Sequence, residues 1–107
     1  NTIKSFLAED SLYMQAAYLL ERDLDSFIQS LGLGAELKYQ QMPMAFQQAY
    51  LLWWTRDHSS DEPIPNFISQ NFIAGINQFY AMAQNQSPDM LMPHFGNTYW
   101  YYYFFMN

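Results

Sequence analysis

The segment that decides the fold is GNTYWYYYFFMN, residues 96–107, in which seven of twelve residues are aromatic and none is charged. Three interpretations compete for it: a membrane anchor, a stacking platform for a ligand, or core packing. From Tyr99 to Met106 it would extend about 12 Å as a helix, whereas a helix needs roughly 20 apolar residues to cross a bilayer. It also lacks the basic flank of surface-lying anchors. We therefore expect no membrane insertion by this segment.

A helix is the better prediction for the same segment than a strand. Its β-propensity is high, but no other part of the chain offers a convincing partner strand. Asn97 or Thr98 can cap a helix that begins after Gly96. Such a helix is apolar on every side, so we expect it to pack into a groove with the tyrosine hydroxyls at the groove's edges. With so many aromatic side chains on so short a helix, we expect some of them to face a partner.

The remainder of the chain also predicts helices. Apolar residues recur at mainly helical spacing from Phe6 to Leu20, and again from Leu24 to Leu31, where Gly32 and Gly34 end the pattern. Asp23 is placed to cap the second of these helices. We expect Pro43 to open a third helix that runs through Phe46, Tyr50, Leu51 and Trp54.

The second half of the chain predicts one more helix before the aromatic segment. Residues 58–65 read as a loop, and Pro65 can open a fourth helix with Ile68, Phe72, Ile76, Phe79 and Ala83 along one face. Residues 86–89 and the pair Met92-Pro93 are expected to interrupt the chain before the final helix.

A short internal repeat suggests how these helices are arranged. The tetrapeptide AYLL occurs at residues 17–20 and 49–52, followed each time by an Arg-Asp pair. This 32-residue separation is close to the 34-residue period of tetratricopeptide (TPR) helix pairs, although Gln15 stands where their consensus has glycine. We predict an all-α fold of antiparallel, TPR-like helix pairs with a short aromatic C-terminal helix. Residues 1–107 are expected to form a single helical domain.

The composition excludes several classes of partner and site. Four Lys or Arg residues stand against ten acids, for a net charge of −6. So few basic residues cannot neutralise a run of phosphates, so we expect no nucleic-acid partner. The chain has no cysteine, which excludes disulfides, thiolate metal sites and a thiol nucleophile. No apolar run is long enough to span a bilayer.

Three stretches carry a resemblance to a known family: YLLERDLDSF (18–27), MPMAFQQAYLLW (42–53) and FGNTYWYYY (95–103). They resemble an uncharacterised family of Bacteroidetes membrane proteins whose C-terminal part is a helical, TPR-like domain. The resemblance implies that this chain is the C-terminal fragment of a larger protein, attached after a multi-span N-terminal part. It would be membrane-associated through those preceding segments, on a side of the membrane that the resemblance leaves open. The family supplies no catalytic residues to carry over.

No group of residues predicts catalysis, a cofactor or a metal. The acids and His58 in residues 57–62 fit neither a calcium loop nor a zinc pattern, and a solvated turn explains them equally well. A hydrolase would need His58 or His94 beside a nucleophile such as Ser59, Ser60 or Ser87, but no nucleophile-elbow sequence surrounds any of these serines. We read His94 as part of a packed loop. The acids Glu9, Asp10, Glu21, Asp23 and Asp25 are expected to form a solvated face and a cap rather than a glycosidase pair.

Two function hypotheses remain, and both use the aromatic residues. The first is a non-catalytic helical domain that binds a protein partner or docks on the membrane part of its own parent. The alternative is an accessory domain that positions substrate for a membrane enzyme, with glycans as one candidate. For any single aromatic residue at helical spacing, core packing is the more common role. The candidate interaction surface comprises Tyr18, Tyr50, Trp53, Trp54, Tyr99, Trp100, Tyr101, Tyr102 and Tyr103.

Overall fold

The computed structural model describes residues 12–106, and every regular element among them is helical. The predicted all-α class is therefore confirmed for these residues, while the TPR-like pairing stays a prediction. The α-helices are residues 12–20 (α1), Leu24–Leu31 (α2), Ala35–Lys38 (α3), Met44–Asp57 (α4), Gln70–Ala83 (α5), Pro88–Phe95 (α6) and Tyr99–Phe105 (α7). Short 3-10 helices at Gly32–Gly34 and Tyr39–Gln41 flank α3.

The chain divides into two compact units between Lys38 and Tyr39. The expectation of one domain over residues 1–107 stays a prediction. Of the predicted first helix, residues 12–20 are helical, whereas Phe6 and the acids Glu9 and Asp10 lie outside the described residues.

In the first unit, a tight turn joins α1 to α2. Arg22 has a φ of 60°, in the left-handed region, and the Asp23 amide donates to the Tyr18 carbonyl at 2.9 Å while the Arg22 amide donates to Leu19 at 3.1 Å. This pair of bonds is the Schellman arrangement that ends helices. The Asp23 carboxylate then accepts from the Ser26 amide at 3.1 Å and caps α2, as the sequence predicted.

In the second unit, four helices contribute to one core. Pairs of helices pack as α4 with α7, α4 with α5, α5 with α6, and α6 with α7. Because these contacts close a ring, each of the four helices covers part of two others. The fully or nearly fully buried side chains of this core include Ala49, Leu51, Leu52, Ile76, Phe79, Leu91, Phe95 and Trp100.

The start of α7 is fixed to α4 by Gln48, a buried polar residue. The Gln48 side-chain oxygen accepts from the Tyr99 amide at 2.9 Å, and the Trp100 indole N–H donates to the Gln48 carbonyl at 2.9 Å. The first amides of any helix lack a partner inside the helix. Thr98 supplies a second partner, because its hydroxyl oxygen accepts from the Tyr101 amide at 3.2 Å. The predicted packed aromatic helix is thus present, with Thr98 as its cap.

A glycine in α5 makes room for the Trp100 ring. A Cβ added at Gly75 would lie 3.3 Å from Cη2 of Trp100 and 3.4 Å from its Cζ3. That approach is closer than most side chains tolerate, so the absence of a side chain lets the indole lie against the α5 backbone. Phe79 and Phe95 meet next to it, with ring centres 5.3 Å apart.

Two sequence predictions in the second half were wrong. The fourth helix begins at Gln70 and not at Pro65, because Ser69 accepts from the Asn71 amide at 3.1 Å and caps it there. Residues 88–95 form α6 where an interruption was expected. Pro88 suits the first helical position, and in so short a helix Pro93 removes only one interior bond. The burial of Leu91 and Phe95 on one face stabilises α6 against that loss.

The two AYLL segments have different environments. Leu51 and Leu52 are both buried in α4, whereas in α1 Leu19 is buried and Leu20 is exposed. Equivalent positions of the sequence repeat therefore do not share one burial pattern. The structural equivalence that the repeat suggested stays unconfirmed.

Candidate functional site

A cleft of about 370 Å³ opens in the second unit where α4 ends. Its walls come from the last turn of α4, the following loop and the middle of α5. We call it the α4–α5 cleft, and it is lined by Trp54, Thr55, His58, Ser59, Ser60, Glu62, Ile64, Asn77 and Tyr80. Among the described residues, no lysine or arginine lines it.

The His58 ring is held in a defined orientation against Trp54. The two rings are stacked with centres 3.5 Å apart and planes 8° apart, and His58 Nδ1 lies 3.0 Å from the Trp54 carbonyl oxygen. A carbonyl oxygen only accepts hydrogen bonds, so Nδ1 carries the proton in this bond. In the neutral ring, Nε2 is consequently an acceptor.

Glu62 faces that acceptor. Its Oε2 lies 3.9 Å from His58 Nε2, and its Oε1 lies 3.5 Å from the Ser59 amide, which donates to it. The Glu62 amide also donates to the Ser59 carbonyl at 3.1 Å, which closes the turn. Backbone geometry thus brings a carboxylate oxygen and an imidazole nitrogen together, and the two form an ion pair when the ring is protonated.

A hydroxyl pair forms part of the α5 side of the cleft. Thr55 Oγ1 and the Tyr80 hydroxyl lie 2.8 Å apart, and the Thr55 hydroxyl donates to the Leu52 carbonyl at 3.0 Å. Since the single Thr55 proton is engaged there, Tyr80 donates to Thr55 and keeps its own oxygen lone pairs as acceptors. Burial raises the pKa of Tyr80 above its ordinary value, so the phenol is neutral near pH 7.

The remaining sequence candidates for chemistry are not brought together. Asp57 pairs with Arg56 at 2.7 Å, and this hydrogen bond lowers the pKa of the Asp57 carboxyl. Within residues 12–106, no three or more His, Asp or Glu side chains form a group that could hold a metal ion. His94 lies exposed on α6, so its placement in a packed loop was wrong.

The structure places the nine predicted surface residues in two different environments. Tyr99, Trp100 and Tyr101 are buried in the second unit. The half-buried members are Tyr18, Tyr50, Trp53, Trp54, Tyr102 and Tyr103. Tyr50 and Trp53 meet edge to face at 5.5 Å, and Trp53 lies 6.2 Å from Trp54, so part of the predicted surface is contiguous along α4. Their role in binding stays a prediction.

Sequence reasoning missed the α5 side of the cleft. Asn77 and Tyr80 were not singled out, although their spacing of three residues puts them on one face of a helix. Because they are far from Trp54 in the sequence, no local pattern predicts that they lie beside it. Only the packing of α4 on α5 brings the two groups together.

None of the helices within residues 12–106 combines the length and apolar character needed to cross a bilayer. By fold, the second unit is an all-α domain with a polar and aromatic cleft. The chain belongs to a family of unknown function, DUF6057, whose model matches residues 11–106 and so includes every residue that the structure describes. No curated protein and no solved structure matches the chain.

Proposed function

We propose that this chain is a non-catalytic helical docking domain, TPR-like in arrangement, of a larger bacterial membrane protein. The observation that carries the proposal is the number of large apolar side chains left exposed. Isolated exposed apolar residues are normal, but groups of them mark interaction surfaces.

The first unit has the highest concentration of such residues. Leu33 is 108% exposed and Leu37 is 86% exposed, and they lie four residues apart in consecutive helical segments. The other exposed large apolar residues among residues 12–38 are Leu12, Tyr13, Met14 and Leu20.

Exposed methionines in the second unit support a protein partner. Met44, Met90, Met92 and Met106 are all exposed. Methionine side chains are flexible and polarizable, and they are common at surfaces that adapt to protein partners. A protein surface, including the parent's own preceding segments, is the occupant that this chemistry favours.

Site-specific crosslinking in the full-length protein tests the docking proposal. A photoreactive phenylalanine analogue at Leu33 or Leu37 should give one discrete crosslinked product, identified by mass spectrometry as a peptide of the parent or of one other protein. The same analogue at Glu36, an exposed polar neighbour, is the matched control. Crosslinking at 33 and 37 that is no greater than at 36 would contradict a docking surface there.

A second candidate function is supported by the α4–α5 cleft. Trp54 and Tyr80 provide aromatic surface beside the Asn77 amide, a combination suited to positioning a substrate such as a glycan for a membrane enzyme. A titration with a neutral disaccharide, followed by amide chemical shifts, tests it. Saturable shifts confined to the cleft residues would favour this candidate, and uniformly unchanged shifts would remove it.

A further inference from the structure

We infer that the α4–α5 cleft is a binding site for an alkylammonium group. The inference starts from the pair formed by His58 Nε2 and Glu62 Oε2, which lie 3.9 Å apart. With Nδ1 donating to the Trp54 carbonyl, Nε2 presents a lone pair beside the carboxylate oxygen when the imidazole is neutral, and pairs with that oxygen when the imidazole is protonated. In the neutral form of the ring, these two acceptors favour a donor that bonds to both.

Tyr80 adds a further acceptor to the cleft. The Tyr80 oxygen accepts because its proton is directed to Thr55. An ammonium has three donor hydrogens and no acceptor, so it complements several acceptors at once. A hydroxyl ligand has one donor hydrogen and brings its own lone pairs, so this inference and the glycan candidate are alternatives for the same cleft.

Charge and aromatic surface point to the same ligand chemistry. Glu62 supplies a negative charge, and no lysine or arginine of the described residues lines the cleft. Trp54 and Tyr80 add aromatic surface, which attracts cations through the negative potential of the ring faces. Ile64 adds an apolar side chain that an alkyl chain can contact. The cleft thus fits a short alkyl chain that ends in an ammonium.

Two sources share this chemistry: a free amine, or a lysine side chain of a partner. The site does not depend on the docking surface at Leu33 and Leu37, because the two involve different units. Failure of the crosslinking experiment would therefore not contradict the ammonium site. Failure of the ammonium titration would likewise not contradict the docking surface.

The test is a titration of the full chain with n-butylammonium chloride, followed by ¹⁵N amide shifts, with sodium chloride at equal ionic strength as reference. We expect saturable shifts around residues 54–62 and at Asn77 and Tyr80, with a Kd in the millimolar range for so small a ligand. Glu62→Gln should weaken binding about fivefold, the scale of a partly exposed ion pair. Asp61→Asn is the matched control. It also removes one negative charge, from the residue next to Glu62, but the Asp61 side chain does not line the cleft. This variant should therefore change Kd less than twofold.

A neutral ligand of the same shape separates the contribution of the ligand's charge to binding from the contribution of its buried alkyl chain. n-Butanol should give no saturable shift at concentrations that saturate the ammonium. Equal binding by butanol, equal binding by Glu62→Gln and the native protein, or no saturable ammonium binding would each overturn the inference. Nα-acetyl-lysine methylamide then assigns the source. Tighter binding than butylammonium indicates a partner's lysine and equal binding indicates a free amine, and both results support the site.

Discussion

Two tryptophans of the second unit show how differently one residue type is used. Trp100 is 2% exposed, its indole N–H is bonded to the Gln48 carbonyl, and its ring lies against Gly75. Trp54 is half-buried, is stacked on His58 and lines the α4–α5 cleft. Both belong to aromatic-rich helices, so their surroundings and not their local sequence set their roles.

The difference teaches where stability and binding reside in this unit. Trp100 fills space between helices that contact each other, so its removal would leave a cavity. Trp54 orients a histidine beside an acid at the rim of a cleft, so its removal would chiefly alter that rim. We therefore expect changes at Trp100 to lower stability and changes at Trp54 to alter ligand binding.

The largest expected effect comes from Trp100→Ala. Truncation of a buried aromatic residue costs about 3 to 5 kcal/mol, whereas Trp54→Ala should cost about 1 kcal/mol. Urea unfolding followed by circular dichroism measures both. Should Trp100→Ala fail to fold, Trp100→Phe keeps most of the ring volume and should still cost more than Trp54→Phe. Equal losses for the two positions would break the comparison.

The next effect is that of Gln48→Ala. This change removes the side-chain oxygen that accepts from the Tyr99 amide, and it keeps the backbone carbonyl that accepts from Trp100. The Tyr99 amide would then lack its acceptor in a buried position, at a cost of about 1 to 3 kcal/mol. Gln78→Ala is the matched control, since Gln78 is an exposed glutamine within α5. A loss in unfolding free energy no larger for Gln48 than for Gln78 would show that the anchor contributes nothing.

A smaller effect is expected at the cap of α7. Thr98→Ala removes the acceptor of the Tyr101 amide and should cost about 1 kcal/mol, as losses of N-caps do. Thr98→Ser keeps the hydroxyl and should retain most of the native stability. The thermal midpoint measures both changes, and an alanine variant as stable as the serine variant would contradict the role of the cap.

The smallest effect belongs to the corresponding cap in the first unit. The hydrogen bond from Ser26 holds the pKa of Asp23 below its ordinary value of 3.8. The folded pKa is lowered, so the stabilisation is fully present above pH 3.8 and is lost as the pH falls through the folded value.

Asp23→Asn tests this pH dependence because asparagine also caps helices but does not titrate. A thermal midpoint measured from pH 5 down to pH 2 should fall more steeply for the native chain than for this variant. Identical slopes would mean that the Asp23 bond does not stabilise the folded state.

The elements were largely predictable from the sequence, but their ends were less so. Spacing of Leu24, Phe27 and Leu31 predicted α2, and Asp23 predicted its start, because both signals are local. The start of α5 at Gln70 and the helix through Pro93 were missed. The start of α5 is set by the Ser69 cap, a local signal that Pro65 obscured, whereas α6 depends on packing that overrides the local preference of Pro93.

The candidate site was predictable only in part. His58 and Glu62 stood out as polar residues of one loop, but the loop was read as a solvated turn. Asn77 and Tyr80 join them only through the packing of α4 on α5, which no sequence period encodes. The same limit applies to Gln48, whose bonds to Tyr99 and Trp100 span more than fifty residues.

Hydrogen exchange of the tryptophan indole N–H groups in the native protein tests most directly whether α7 is anchored to α4 through Gln48 and Trp100. After transfer to D₂O, we predict that the Trp100 signal exchanges at least about a hundredfold more slowly than the Trp54 signal, because its N–H is buried and bonded and exchanges only when the unit opens. The chain has three tryptophans, so Trp53→Phe and Trp54→Phe variants together assign the three indole signals. Exchange of Trp100 as fast as that of Trp54 would contradict the anchored helix.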